Sequence, residues 1–211
     1  RSTPKPSSAA SDVYKRQDLV KAFERVPHWW LVRHAVQLDY PLIVLRLSLA
    51  SYKLVRTVMV GPVCSALILA VRGITAGSVL ATIELRALLM PWVEAAMQAA
   101  PMACLSLYVD DLTIEAAGSA ATAQRSVIRA TMVFTEAVIS AGMEFSPSKN
   151  VCLASKDALA RRVVAALPHL AASVAAHPDP SSPAGFSSSL GAPAGRTVLS
   201  APVSYTHLTL P

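Results

Sequence analysis

Apolar positions along this chain keep two rhythms, and the places where one gives way to the other predict its elements. Recurrence near 3.6 residues marks a helix, while alternation or a short apolar run closed by turn residues marks a strand. Behind Pro27, the apolar Leu31, Ala35 and Leu38 fall on one stripe, which predicts a helix over residues 28 to about 38. Trp29 and Trp30 on it read as core or edge packing. Pro41 opens another helix to about residue 51, with Leu42, Leu45, Leu49 and Tyr52 on one face. Residues 18–25 read as a short helix capped by Asp18. Residues 79 to about 97 read as a long helix with Ser78 as its cap. Val127, Thr131, Phe134 and Val138 set the core stripe of a helix from about 119 to 141, ended by Gly142. Residues 157–167 form the last helix, within a trailing segment 156–172.

The strand rhythm appears in three places. Residues 55–60 and 64–71 flank Gly61-Pro62; the first is rich in β-branched residues, while Ala and Leu in the second suit either state. Leu105-Ser-Leu-Tyr-Val-Asp-Asp-Leu-Thr-Ile114 reads as a hairpin with Asp110-Asp111 at its turn, and residues 145–153 hold a turn and a short strand. Strands gathered with interspersed helices predict an α/β (α+β) fold, an antiparallel sheet with helices packed on one face. Beyond His177, Pro, Ser, Gly and Ala dominate, so residues 173–211 read as a linker or disordered tail.

Both ends stand apart from this pattern. Residues 1–17 are Ser/Pro/Ala-rich and then run Asp12-Val-Tyr-Lys-Arg-Gln17, and the chain closes on Val203-Ser-Tyr-Thr-His-Leu-Thr-Leu-Pro211. Both resemble translated sequencing-linker read-through at the edges of assembled environmental genes. They are therefore left out of the fold reading, which takes the authentic chain as an internal fragment beginning near Asp18.

Composition narrows the class. Of 211 residues, 53% are hydrophobic and 15% charged, ample for a core in one domain of ordinary size. Nineteen Lys and Arg against thirteen Asp and Glu leave a formal charge of +6, which suits a polyanionic partner. The longest uncharged window, residues 57–71, is broken by Gly61-Pro62 and falls short of the about 20 residues a membrane span needs. Cys64, Cys104 and Cys152 are odd in number, far apart and without a CxxC. They read as reduced, buried thiols of an intracellular protein, nuclear or cytoplasmic, with no zinc site.

Two adjacent carboxylates between β-prone segments are costly to bury unless a cation holds them. With Asp18, the pair Asp110 and Asp111 supplies the oxygen donors a hard divalent ion such as Mg²⁺ takes alongside substrate phosphates. Two such ions about 3.5–4 Å apart stabilise both the attacking and leaving oxygens of a phosphoryl displacement. Taken singly, each residue has a plainer account. Asp18 alone is a helix cap, Asp110-Asp111 alone a solvated turn, and His28, His34 and His169 are structural or solvated.

Four segments in order carry a resemblance. Asp18-Leu-Val-Lys-Ala-Phe-Glu-Arg-Val-Pro-His28 resembles the first palm motif of reverse transcriptases, closest to those of non-LTR retrotransposons and group II introns. Arg72-Gly-Ile-Thr-Ala-Gly-Ser-Val-Leu-Ala81 resembles their glycine-rich motif, Tyr108-Val-Asp-Asp111 their YxDD motif, and Gly142-Met-Glu-Phe-Ser-Pro-Ser-Lys149 the motif that follows. The resemblance implies a palm domain over residues 18–155, with fingers and thumb missing from the fragment. It implies RNA-directed DNA synthesis from dNTPs, on an RNA template with a DNA primer, with two Mg²⁺ (or Mn²⁺) ions. Asp18, Asp110 and Asp111 would hold the metals, and Lys149 would sit by the leaving pyrophosphate as a cationic or proton-donating group. Phe23 would exclude a ribose 2′-hydroxyl. Gly73, Gly77, Ser78 and Tyr108 would line the nucleotide and template site.

The chain departs from the family at Thr75-Ala76, where Pro-Gln is common, at Thr82, where Pro is, and at Tyr14-Lys-Arg-Gln17, where an apolar strand is expected. The other reading these departures allow is a decayed or domesticated palm that binds nucleic acid without catalysis.

Overall fold

The alternation that follows Ala103 produces the best-defined piece of the molecule. In the computed structural model, which describes residues 11–75, 77–146 and 149–168 and the backbone of Ser173–Val174, β4 (Ala103–Tyr108) and β5 (Asp111–Gly118) form an antiparallel hairpin. Its ladder runs from Ala103 opposite Ala116 to Tyr108 opposite Asp111, leaving Val109 and Asp110 as a two-residue loop. Alternate residues on β5, Leu112, Ile114 and Ala116, are buried, while Thr113 and Glu115 face the other way.

Beside β5 lies β1 (Ser11–Gln17), antiparallel to it in a register that sets Arg16 opposite Thr113 and Gln17 opposite Leu112. On the far side of β1, β6 (Val151–Ala154) pairs antiparallel, with Lys15 opposite Cys152, and β7 (Ser173–Val174) adds a short parallel edge. The sheet order is therefore β4-β5-β1-β6-β7. Residues that the sequence reading set aside as a leader thus occupy a central strand. Its two neighbours, β5 and β6, supply its ladder partners, and that pairing does not depend on side-chain polarity.

The misfit shows on the covered face. Val13, Lys15 and Gln17 all point beneath the helices, and Lys15 is 1% exposed with its Nζ buried and unpartnered. Gln17 donates from Nε2 to Thr135 Oγ1 at 3.5 Å, while its Oε1 finds nothing.

The covering layer is helical. α4 (Ala120–Ser140) lies across β1, β4 and β5 with Val127, Thr131, Phe134 and Val138 inward. Ser119 caps it, its Oγ accepting from Thr122 N at 3.2 Å, and Gly142 follows its end at φ +72°. α3 (Ala81–Ala99) packs on α4, and α1 (His28–Gln37) on α3. Buried His34 donates from Nδ1 to the Leu88 carbonyl at 2.6 Å, and Trp30 stands edge-on to Trp92 with centroids 5.8 Å apart. Trp29 is 59% exposed at the edge of this cluster. α2 (Leu42–Tyr52) follows, and α5 (Asp157–Ala165) packs on β6. The chain is thus a mixed α/β fold built on an antiparallel sheet.

Several expectations are corrected. Residues 18–25 are not a helix: they are turns, with Lys21 at φ +49°. Arg25 N donates to Lys21 O in a single α-turn, while Val20 N donates to Glu144 O and Phe23 O accepts from Ile74 N, so no helix propagates. The long helix begins at Ala81, so Ser78 is not its cap, although Ser78 Oγ accepts from Leu80 N at 3.3 Å. Residues 55–71 pair only as β2 (Met59–Val60) with β3 (Val63–Cys64), plus a bridge from Arg56 to Ile68, and stand out in solvent. Cys152 is buried, but Cys64 and Cys104 are exposed, Cys104 because alternation on β4 turns it to the open face. Among the described residues no helix is long and apolar enough to cross a membrane. Residues 175–211 and His169 lie outside the described residues.

Candidate active site

Strand register alone assembles the acidic edge. On β1, Tyr14 and Arg16 share the open face, and Asp18 continues that stripe one step past the ladder. Gln17 pairs with Leu112, the residue after Asp111, so Asp18 and Asp111 leave the sheet side by side. Asp110 sits in the hairpin loop next door. Residues 92 positions apart in sequence are thereby brought to one end of the sheet.

The tip of the hairpin is strained. Val109 adopts φ +58°, a region that a β-branched residue avoids at a cost on the order of 1–3 kcal/mol. It is half-buried against the core, and the left-handed turn presents Asp110 at the apex.

The carboxylates differ in what they hold. Asp18, nearly buried, accepts from the Lys149 ammonium at 2.9 Å, and its carbonyl accepts from Ser146 N at 2.8 Å. Lys149 is well exposed, and its pKa is raised by the hydrogen bond to Asp18 and then by the charges of Asp18, Asp110 and Asp111, so it is an ammonium at neutral pH. Asp111 is gripped by Arg16 on both oxygens, Nη2 to Oδ2 at 2.6 Å and Nε to Oδ1 at 3.4 Å. Asp110 has its pKa raised, first by burial and then by the charges of Asp18 and Asp111, with Lys149 opposing. Three carboxylates meet two protein cations, and negative charge is left over.

The other segments close around Asp18 through backbone hydrogen bonds. Gly73 N donates to Val26 O and Ile74 N to Phe23 O, both at 2.8 Å, zipping the glycine loop to the turn after Asp18. Gly73 is at φ +92°, and a Cβ there would stand 2.8 Å from the Glu24 carbonyl oxygen, so only glycine fits. Gly77, at φ +93°, faces open space. His28 donates from Nε2 to Gly73 O at 2.8 Å. Arg72 Nη1 donates to Gly142 O at 3.3 Å, and Leu19 bridges Phe145, which ties in the last segment. Ser78 lies 3.3 Å from the Tyr52 hydroxyl, which donates to Glu84 Oε2 at 2.7 Å. Phe23 packs half-buried against the core, and Tyr108 is 80% exposed on the open face. Thr75 Oγ1 accepts from Arg56 at 3.4 Å, while Ala76 lies outside the described residues.

Among the described residues, no three His, Cys, Asp or Glu side chains converge closely enough to hold a metal by themselves. The donor set still fits a hard divalent ion: Asp18 and Asp110 are oxygen donors, Asp18 near enough for its charge to raise the pKa of Asp110, and Mg²⁺ takes few protein ligands. Asp111 is already committed to Arg16. Arg16 and Lys15 escaped the sequence reading because they lay in the segment set aside; the alternation Tyr14-Arg16-Asp18 was the signal that would have found Arg16. No family model matches the chain, and no curated protein matches it significantly.

Proposed function

We propose that this chain is the palm of an RNA-directed DNA polymerase, transferring a nucleotide from a dNTP to a primer 3′-hydroxyl. One observation carries the reading: the four segments that resemble palm motifs, scattered over residues 18–149, are knitted around Asp18 by backbone hydrogen bonds and strand register.

In this reading Asp18 and Asp110 hold the divalent ions. Ions held there would supply Lewis acidity to the primer hydroxyl and offset the charge of the triphosphate. Lys149 meets the developing charge on the pyrophosphate and can return a proton to it. Phe23 closes the sugar side against a 2′-hydroxyl, and Gly73 holds the loop that faces the template. The open face of the sheet, which carries no covering helix among the described residues, takes the primer–template duplex.

The test is nucleotide incorporation on an RNA template, by the chain joined to fingers and thumb segments. Asp110→Asn is expected to remove incorporation by about a thousandfold or more, while Phe23→Ala admits ribonucleotides. Incorporation that survives Asp110→Asn would exclude the assignment. The Arg16 grip on Asp111 favours a second reading, a palm that binds nucleic acid without catalysis. That reading expects duplex binding with no incorporation in any variant.

A further inference from the structure

Two carboxylates of the acidic edge hold protein cations, and of these Asp111 is the one engaged on both oxygens. We infer that Arg16 is a tethered cation that competes with divalent metal for Asp111, so that strand β1 itself sets metal affinity at this site. The inference rests on the acidic edge being a metal site and adds a regulator of it.

The geometry is forced by register. Arg16 stands opposite Thr113, so Asp111, two residues earlier on β5, is its diagonal neighbour on the same face. A guanidinium reaching along that diagonal meets the carboxylate with its planar fork, and both oxygens of Asp111 are engaged. The pair cannot be released by loss of a proton near neutral pH, because guanidinium stays charged. Near neutral pH a competing cation at Asp111 is what displaces it.

The second protein cation behaves differently. Lys149 reaches Asp18 through a single contact from a flexible, two-thirds exposed side chain. It swings aside at small cost, about what exposed ion pairs are worth. Arg16, its side chain 40% exposed, rises from a central strand and holds both oxygens of Asp111, so it leaves less readily than a single contact would. A metal ion therefore finds Asp18 and Asp110 available, and gains Asp111 only at the expense of the Arg16 pair. The site is consequently weaker for metal than its three carboxylates would make it.

Mn²⁺, followed as free ion by electron paramagnetic resonance, tests this on the full chain without any assay of activity. Arg16→Gln is expected to tighten Mn²⁺ binding by roughly tenfold, the effect of removing a unit charge a few ångströms away. A general field effect would do as much, so Asp111 decides between them. In the unaltered chain Asp111→Asn should change affinity less than about twofold, because the carboxylate is sequestered; in the Arg16→Gln chain the same change should cancel most of the gain. Arg16→Lys, which keeps the charge and loses the fork, should fall between. The thermal midpoint of each variant reports that it is folded.

If Arg16→Gln leaves affinity unchanged, or Asp111→Asn weakens the unaltered chain as much as Asp110→Asn does, the competition is refuted while the metal site stands. If folded Arg16→Gln and unaltered chains both fail to bind Mn²⁺, the metal-site reading falls and takes the competition with it.

Discussion

Lys15 sets the sharpest problem at the scale of a single residue. Its ammonium is buried beneath the helices, opposite Ile114 and Cys152, with no hydrogen-bond partner. Burial lowers its pKa, and the same burial pushes the Cys152 thiol up. Between the lowered folded value and the ordinary 10.5, the unfolded chain binds the extra proton, so stability rises with pH across that window and levels off at its lower value beneath it. Lys15→Met should stabilise the fold by about 1–3 kcal/mol at pH 7 in denaturant titration and remove the alkaline rise. Asp110 works in the opposite sense. Its folded pKa is raised, so its contribution is fully present below 3.8 and is lost as pH climbs through the folded value. Asp110→Asn should therefore melt higher than the unaltered chain at pH 7, and the difference should vanish in scans below about pH 3.8. The substitution expected to silence the site is thus also expected to steady it, as when strain and repulsion are concentrated where chemistry occurs.

Among the elements, the turns carry more of the specification than the helices. The segment after β1 is held in a non-helical path by the glycine loop on one side and residues 144–146 on the other. Gly73 is the tightest of these contacts, since any side chain would collide with backbone at Glu24. Gly73→Ala should cost on the order of 1–3 kcal/mol by chemical denaturation, more than the same change at Gly77, where only φ is at stake. At the hairpin, Val109→Gly relieves a left-handed valine and should stabilise the chain by about 0.5–1 kcal/mol, provided the loop keeps its path. The helices were legible because their stripes are local: Val127, Thr131, Phe134 and Val138 are buried as their spacing requires. The path of residues 18–25 was not, because its hydrogen-bond partners lie 50 or more residues away in Ile74 and more than 100 away in Glu144.

On the scale of the whole molecule, two surfaces stand out. The open face of the sheet ends at the acidic edge, where Arg16 and Lys149 stand among the carboxylates, and the whole chain carries a formal charge of +6. Duplex binding should fall steeply as salt rises from about 50 to 200 mM, as counterion release requires. The second surface is the ribbon around β2 and β3, where Val60 is 74% and Leu67 76% exposed. A contiguous apolar surface of this kind favours self-association. Sedimentation should show association that rises with concentration, and Val60→Lys with Leu67→Lys should suppress it without lowering the thermal midpoint.

Periodicity and turn residues by themselves determined the hairpin and the inward stripe of α4, because each is encoded within a few turns of chain. Only the tertiary structure decided that a polar run, Val13 to Gln17, would occupy the centre of the sheet and bring Arg16 onto Asp111. Strand pairing is a contract between backbones, in which partner and register follow from what lies across the sheet. The chemistry of the acidic edge is therefore set by residues about a hundred positions apart.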